Sequence, residues 1–151
     1  MRENVGHTRV DAPPEGVEPL DHTADVGFEV HAPTPEALFE RAALGAVWLA
    51  GGSLLPEGEI EGAPVELEAE DAAALLRSWL REVLFRFEVE GFALRAVQQI
   101  ELDLEGARLG ARVRGCEAPP NPEREIKGVT WHGLELVPDR DGWRARVIFD
   151  V

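Results

Sequence analysis

Residues 71–91 hold the feature that most restricts what the chain can fold into. Ala72, Leu75, Leu76, Trp79, Leu80, Val83, Leu84 and Phe87 recur at three- and four-residue steps, the period of an α-helix with one apolar face. Arg77, Arg81, Glu82, Arg86 and Glu88 fall on the other side. Asp71 offers an N-cap oxygen and Gly91 a stop, which predicts a helix reaching about Glu90. Trp79 and Phe85 are read as core residues. A helix striped in this way must lay its apolar side on another layer.

A second stripe, Leu38, Phe39, Ala42, Ala43, Ala46, Val47 and Leu49, follows Thr34-Pro35-Glu36. Thr34 is a natural N-cap, Pro35 suits the first helical position, and Glu36 meets the positive end of the dipole. Gly51-Gly52 ends that helix. Most of the remainder alternates with period two, as half-buried strands do. Val26, Phe28 and Val30 share one face, then Val65, Leu67 and Ala69, then Leu109, Ala111 and Val113, then Trp143, Ala145, Val147 and Phe149. Phe92–Leu104 is a further strand with an irregularity near Gln98-Gln99, and Ile126–Val137 a long one. Glu105-Gly106 and Arg140-Asp141-Gly142 read as turns; Ser53–Gly62 and the proline-bearing Glu117–Glu125 read as loops.

The order β-α-β-α-β-β-β-β points to an α+β fold in two layers: a mixed, mostly antiparallel sheet with two amphipathic helices on one face. A length of 151 residues suits one domain, spanning Leu20–Val151. Met1–Pro19 is polar, holds Pro13-Pro14, Gly6 and Gly16, and lacks periodicity, so it is expected to be a flexible N-terminal extension. The longest apolar stretch, near Ala42–Ala50, is too short to span a membrane. A polar N-terminus and a single cysteine, Cys116, suit the cytoplasm.

Charge restricts function next. A net charge of −14 disfavours non-specific binding of nucleic acid across the surface and favours a cation or a basic partner. Arg108, Arg112, Arg114, Arg144 and Arg146 line one side of a sheet, either as a solvated face or as a local RNA or partner surface. No phosphate-binding loop, nucleophile elbow or Cys-x-x-Cys motif is present.

Acidic groups gather around Leu20–Gly27, where Asp21, His22, Thr23 and Asp25 lead into the first predicted strand. If the last strand runs antiparallel beside it, Asp25 approaches Asp150 and the Val151 carboxylate. Three anionic oxygen groups repel one another unless a cation or protonation relieves them. Such donors suit Ca²⁺, Mg²⁺ or Mn²⁺; a solvated acidic edge is the plainer alternative. His22 is a ligand, a base or a hydrogen-bonded histidine, and Asp21 can simply satisfy local backbone groups. Lys127 is the only lysine, a compact cation suited to a phosphate or an acidic partner, or else an accident of composition.

Three separated stretches carry a family resemblance. Asp21-His22-Thr23-Ala24-Asp25-Val26-Gly27 resembles the opening motif of archease. Ile126-Lys127-Gly128-Val129-Thr130-Trp131-His132-Gly133-Leu134 resembles its lysine-bearing late strand, and Arg146-Val147-Ile148-Phe149-Asp150-Val151 its C-terminus. Leu75-Leu76-Arg77-Ser78-Trp79-Leu80 is similar to its long helix. Gly128 and Trp131 depart from the family's usual Ala and Tyr. The resemblance implies an accessory chaperone-like activator, not itself an enzyme, of the GTP-dependent RNA ligase of tRNA splicing and RNA repair. That ligase joins 3′-phosphate or 2′,3′-cyclic-phosphate ends to 5′-hydroxyl ends. The activator promotes ligase guanylylation and multiple turnover, and meets tRNA only through the ligase. The family's metal site maps onto Asp25, Asp150 and Val151, and its functional lysine onto Lys127; Asp21 and His22 are supporting positions. Two other classes stay open: a direct RNA-binding chaperone using the arginine strands, and a metal-dependent phosphoester hydrolase using Asp25, Asp150 and His22.

Overall fold

A computed structural model of the chain describes residues 12–20, 24–51, 58–119 and 124–151. Two helices form where the stripes lie. Helix α1 spans Pro35–Leu49, and Thr34 accepts the Ala37 amide at 3.1 Å as its N-cap. Helix α2 spans Ala72–Glu88, and Asp71 accepts the Ala74 amide at 2.8 Å. Both caps satisfy donors that have no partner within the helix. The Trp79 indole donates to the Phe39 carbonyl at 2.8 Å and ties the helices together. Leu38 and Phe39 of α1 and Leu75, Leu76, Trp79 and Leu80 of α2 are fully buried. Each of those leucines stabilises the fold by about 1.5–3 kcal/mol relative to exposure.

The class is α+β, and every strand pair among the described residues is antiparallel. One sheet joins β1 (Val17–Pro19), β2 (Val26–Ala32) and β9 (Gly142–Asp150), with β7 (Gly128–Val129) and β8 (Glu135–Asp139) both pairing with β9. The other centres on β6 (Arg108–Glu117), which pairs with β3 (Ile60–Glu61), β4 (Val65–Glu68) and β5 (Phe92–Asp103). Phe28 and Phe149 meet across β2 and β9 with ring centroids 5.4 Å apart, beneath the helices. The register of β5 shifts at Leu94/Ala96 and Val97/Gln99, and Glu40 from α1 accepts the displaced Val97 amide at 3.3 Å. The irregularity expected near Gln98-Gln99 is therefore present: the pairing skips Gln98, and α1 satisfies the amide of the neighbouring Val97.

Several expectations need correction. Phe85 is half exposed: it lies five residues beyond Leu80, about 140° around the helix, on the side away from the core. Arg86, expected outside, is buried; its guanidinium donates to the Ala63 and Pro64 carbonyls at 2.7 and 3.3 Å and meets Glu82 at 2.7 Å. Those donors satisfy carbonyls in the link between β3 and β4. The long strand over Ile126–Val137 is broken in two. Residues between β7 and β8 exceed those opposite them on β9, so Trp131–Leu134 loops out and closes on Gly133 at φ 72. The turn expected at Glu105-Gly106 does form between β5 and β6, with its positive φ on Ala107. Val17–Pro19, inside the expected extension, pairs with β2, and Val17 is buried; Gly16, at φ 77, lets the chain turn into β1.

The arginines do not form one surface. Arg108, Arg112 and Arg114 belong to β6 and Arg144 and Arg146 to β9, in different sheets. Arg112 faces Glu61 at 3.7 Å, Arg114 faces Glu59 at 3.3 Å, and Arg144 faces Glu135 at 3.3 Å. Paired in this way, Arg112, Arg114 and Arg144 have less charge to offer RNA.

Candidate functional site

Three strands end at one pole of the first sheet. Val26 pairs with Phe149, so the antiparallel register continued by one residue sets Asp25 across from Asp150. On the other edge of β9, Gly128 pairs with Asp150, and the Lys127 amide donates to the Asp150 carbonyl at 2.7 Å. Three segments far apart in the chain thus bring Asp25, Lys127, Asp150 and Val151 to the same end of the sheet. All four are exposed. Among the described residues the Lys127 ammonium makes no hydrogen bond or ion pair, so it is available to a partner. Asp21 and His22 lie outside the described residues.

Gly27 allows this pole to form. A Cβ there would strike the Val147 carbonyl oxygen and lie 3.0 Å from the Ile148 Cα. Only a residue without a side chain lets β2 close on β9 immediately beside Asp25.

The sequence reading left Arg77 on the outer face of the helix without a role. It donates from Nε to the Val129 carbonyl at 2.7 Å, clamping α2 to β7, and its guanidinium lies 4.2 Å from the Trp131 ring centroid. Burial lowers its pKa first, repulsion from Arg81 adds to this, and Asp150 opposes both by attraction. Arg77 therefore lies close enough to Asp150 for their charges to attract. No local sequence signal announces this, because the contact joins residues 52 positions apart. Also missed was a group on the first sheet, Glu18, Glu29 and His31, whose donor atoms converge. Glu18 lay hidden in the expected extension.

Carboxylate oxygens such as those of Asp25, Asp150 and Val151 are of the kind that suits a hard divalent cation. No helix among the described residues is long and apolar enough to cross a membrane. Fold and pole together define a class: a small α+β protein whose joined strand ends present an exposed acidic pole with a lysine beside it.

The chain belongs to the archease family. Residues 18–151 match the model of the Archease protein family (MTH1598/TM1083). Protein archease of Methanothermobacter thermautotrophicus is 37% identical over 142 residues, covering 91% of this chain and 99% of that protein. Protein archease of Methanopyrus kandleri is 34% identical over 143 residues, covering 89% and 98%. The solution structure of protein 1598 of Methanobacterium thermoautotrophicum is 30% identical, covers 91% of this chain and all of that one, and has a TM-score of 0.64. A Thermotoga maritima crystal structure, described as an archease and possible chaperone, shares the fold at a TM-score of 0.59 and 24% identity.

Proposed function

We propose that this archease-family chain is an accessory activator of a GTP-dependent RNA ligase, acting in the cytoplasm in tRNA splicing and RNA repair. It promotes guanylylation of the ligase and repeated turnover, and carries no covalent intermediate itself. Asp25, Asp150 and the Val151 carboxylate hold a divalent cation, Ca²⁺, Mg²⁺ or Mn²⁺, with Asp21 and His22 supporting them in sequence. The cation supplies positive charge where nucleotide phosphates gather. Lys127 offers a second, mobile positive charge to a phosphate or to an acidic group of the ligase. The Lys127 amide holds the Asp150 carbonyl, and Arg77 holds β7 against α2, so the backbones that carry Lys127 and Asp150 stay side by side.

The observation that carries this reading is the convergence of β2, β7 and β9 at one exposed pole in a member of this family. The test combines the purified chain with a partner ligase, GTP and Mn²⁺, and follows repeated joining of 3′-phosphate and 5′-hydroxyl RNA ends. Turnover should rise with the parent chain and return to the ligase-alone level with Asp25→Ala or Asp150→Ala. No gain from the parent chain would overturn activation; equal gain from Asp150→Ala would overturn the role of the metal. RNA bound by the chain without the ligase, or phosphoester cleavage by the chain alone, would point instead to a chaperone or a hydrolase.

A further inference from the structure

A second set of ligand-bearing side chains lies at the far end of β2. The register of β1 on β2 pairs Glu18 directly with Glu29, a like-charge juxtaposition that Arg146, opposite Glu29 on β9, and Arg144, 3.9 Å from Glu29 Oε2, answer from the other side. His31, two residues along β2, shares their face. Its Nε2 lies 3.8 Å from Glu18 Oε1 and 3.8 Å from Glu29 Oε1, while its Nδ1 lies 3.6 Å from Asp139 Oδ2. These separations are too long for hydrogen bonds. One donor atom from each of Glu18, Glu29 and His31 lies within 4.8 Å of the others.

We propose that Glu18, Glu29 and His31 form a binding site for a zinc-class divalent metal, with Asp139 as a positioning residue. Nitrogen and oxygen ligands of tetrahedral zinc stand about 3.4 Å apart, given metal–ligand distances near 2.1 Å. Closing the observed gaps takes small side-chain rotations, and His31 and Glu18 are 42% and 75% exposed, free to make them. Asp139 Oδ2 stands 3.6 Å from Nδ1 while Nε2 faces the glutamates, so a small rotation would let Asp139 accept the Nδ1 proton, as carboxylates behind metal-binding histidines do. The other oxygen of Glu29 faces Arg144 at 3.9 Å, so the carboxylate is oriented while Oε1 stays available. An open groove of about 550 Å³ borders the site on the side of His31 and Asp139. The mixed nitrogen and oxygen donor set suits Zn²⁺ or Ni²⁺, in contrast to the oxygen-only pole. Six residues of strand separate His31 from Asp25, about 20 Å, so the two sites are independent.

Titration calorimetry with Zn²⁺ on the full chain tests this, with circular dichroism to confirm that each variant folds. Affinity should fall at least about tenfold in both His31→Gln and Glu29→Gln, the size of loss expected when a ligand is removed. It should be unchanged in Asp150→Asn and insensitive to excess Mg²⁺. Zn²⁺ binding retained by His31→Gln, abolished by Asp150→Asn, displaced by Mg²⁺, or absent from the parent chain would each overturn the proposal. The outcome does not depend on ligase activation, which is read separately through Asp150.

Discussion

Replacing Arg77 with methionine should loosen the pole while leaving the helices packed. The substitution removes the Nε–H donation to Val129 at 2.7 Å and the contact with the Trp131 ring at 4.2 Å. A hydrogen bond from a charged group contributes about 1.5–3 kcal/mol, and a partly exposed cation–π pair about 0.5–1 kcal/mol. Opposing this, burial and Arg81 both disfavour the Arg77 charge, and the attraction of Asp150 offsets only part of that. Methionine relieves the penalty and keeps most of the apolar stem, so the net loss should be about 1–2 kcal/mol. In a chain of this length that lowers Tm by about 2–8 °C. Hydrogen exchange locates the effect. The Lys127 amide bonded to Asp150 and the Thr130 amide bonded to Ile148 flank β7 and should exchange about five- to thirtyfold faster. The Val30 amide, in the centre of β2, should respond less. If Lys127 and Thr130 exchange at parental rates, or if urea stability changes by less than about 0.5 kcal/mol, Arg77 does not clamp β7 and the reasoning fails.

Gly27→Ala should destabilise the chain by more than about 3 kcal/mol, because the new methyl meets the Val147 backbone, which cannot rotate away; a urea midpoint within error of the parent would contradict it. Burial pushes the Cys116 thiol above its ordinary value of 9.0, and Arg95 pulls it down less strongly. The folded chain therefore keeps its thiol proton where the unfolded chain has lost it. The resulting stability is complete below pH 9.0 and is lost as pH rises from there through the folded value. Urea melts from neutral to alkaline pH should show this decline, and Cys116→Ala should flatten it. Extending the chain past Val151 with a few glycines removes the carboxylate there and should weaken Mn²⁺ binding at the pole at least about tenfold, read by calorimetry; unchanged binding would exclude that carboxylate as a ligand.

The helices were legible because their determinants are local. Thr34 and Asp71 each cap the helix they were expected to open, and the buried stripes follow the 3.6-residue period. Phe85 and Arg86 escaped for one reason: an apolar residue off the stripe was judged by composition, and a charged residue at its edge by type. Burial there depends on which carbonyls lie opposite, and those of Ala63 and Pro64 are set by a distant turn. The break within Ile126–Val137 was invisible because it reflects how many residues β9 offers opposite, a property of pairing.

The candidate pole was partly legible. Asp25, Asp150 and Lys127 were singled out by residue type and resemblance, and the alternation of their strands made antiparallel pairing of β2 and β9 a natural expectation. Arg77 and the Glu18–Glu29–His31 group had no comparable signal, since each depends on contacts between elements.

By itself the sequence determined the two helices and their caps, the longer strands, the α+β class and the acidic character, since propensity, period and charge act over a few residues. Tertiary structure alone decided the register that sets Asp25 across from Asp150, the division of strands between two sheets, and the pairing of arginines with glutamates. Those outcomes depend on which strands meet and in what alignment. A shift of one residue would turn every side chain to the opposite face, and that choice is made by the whole core at once.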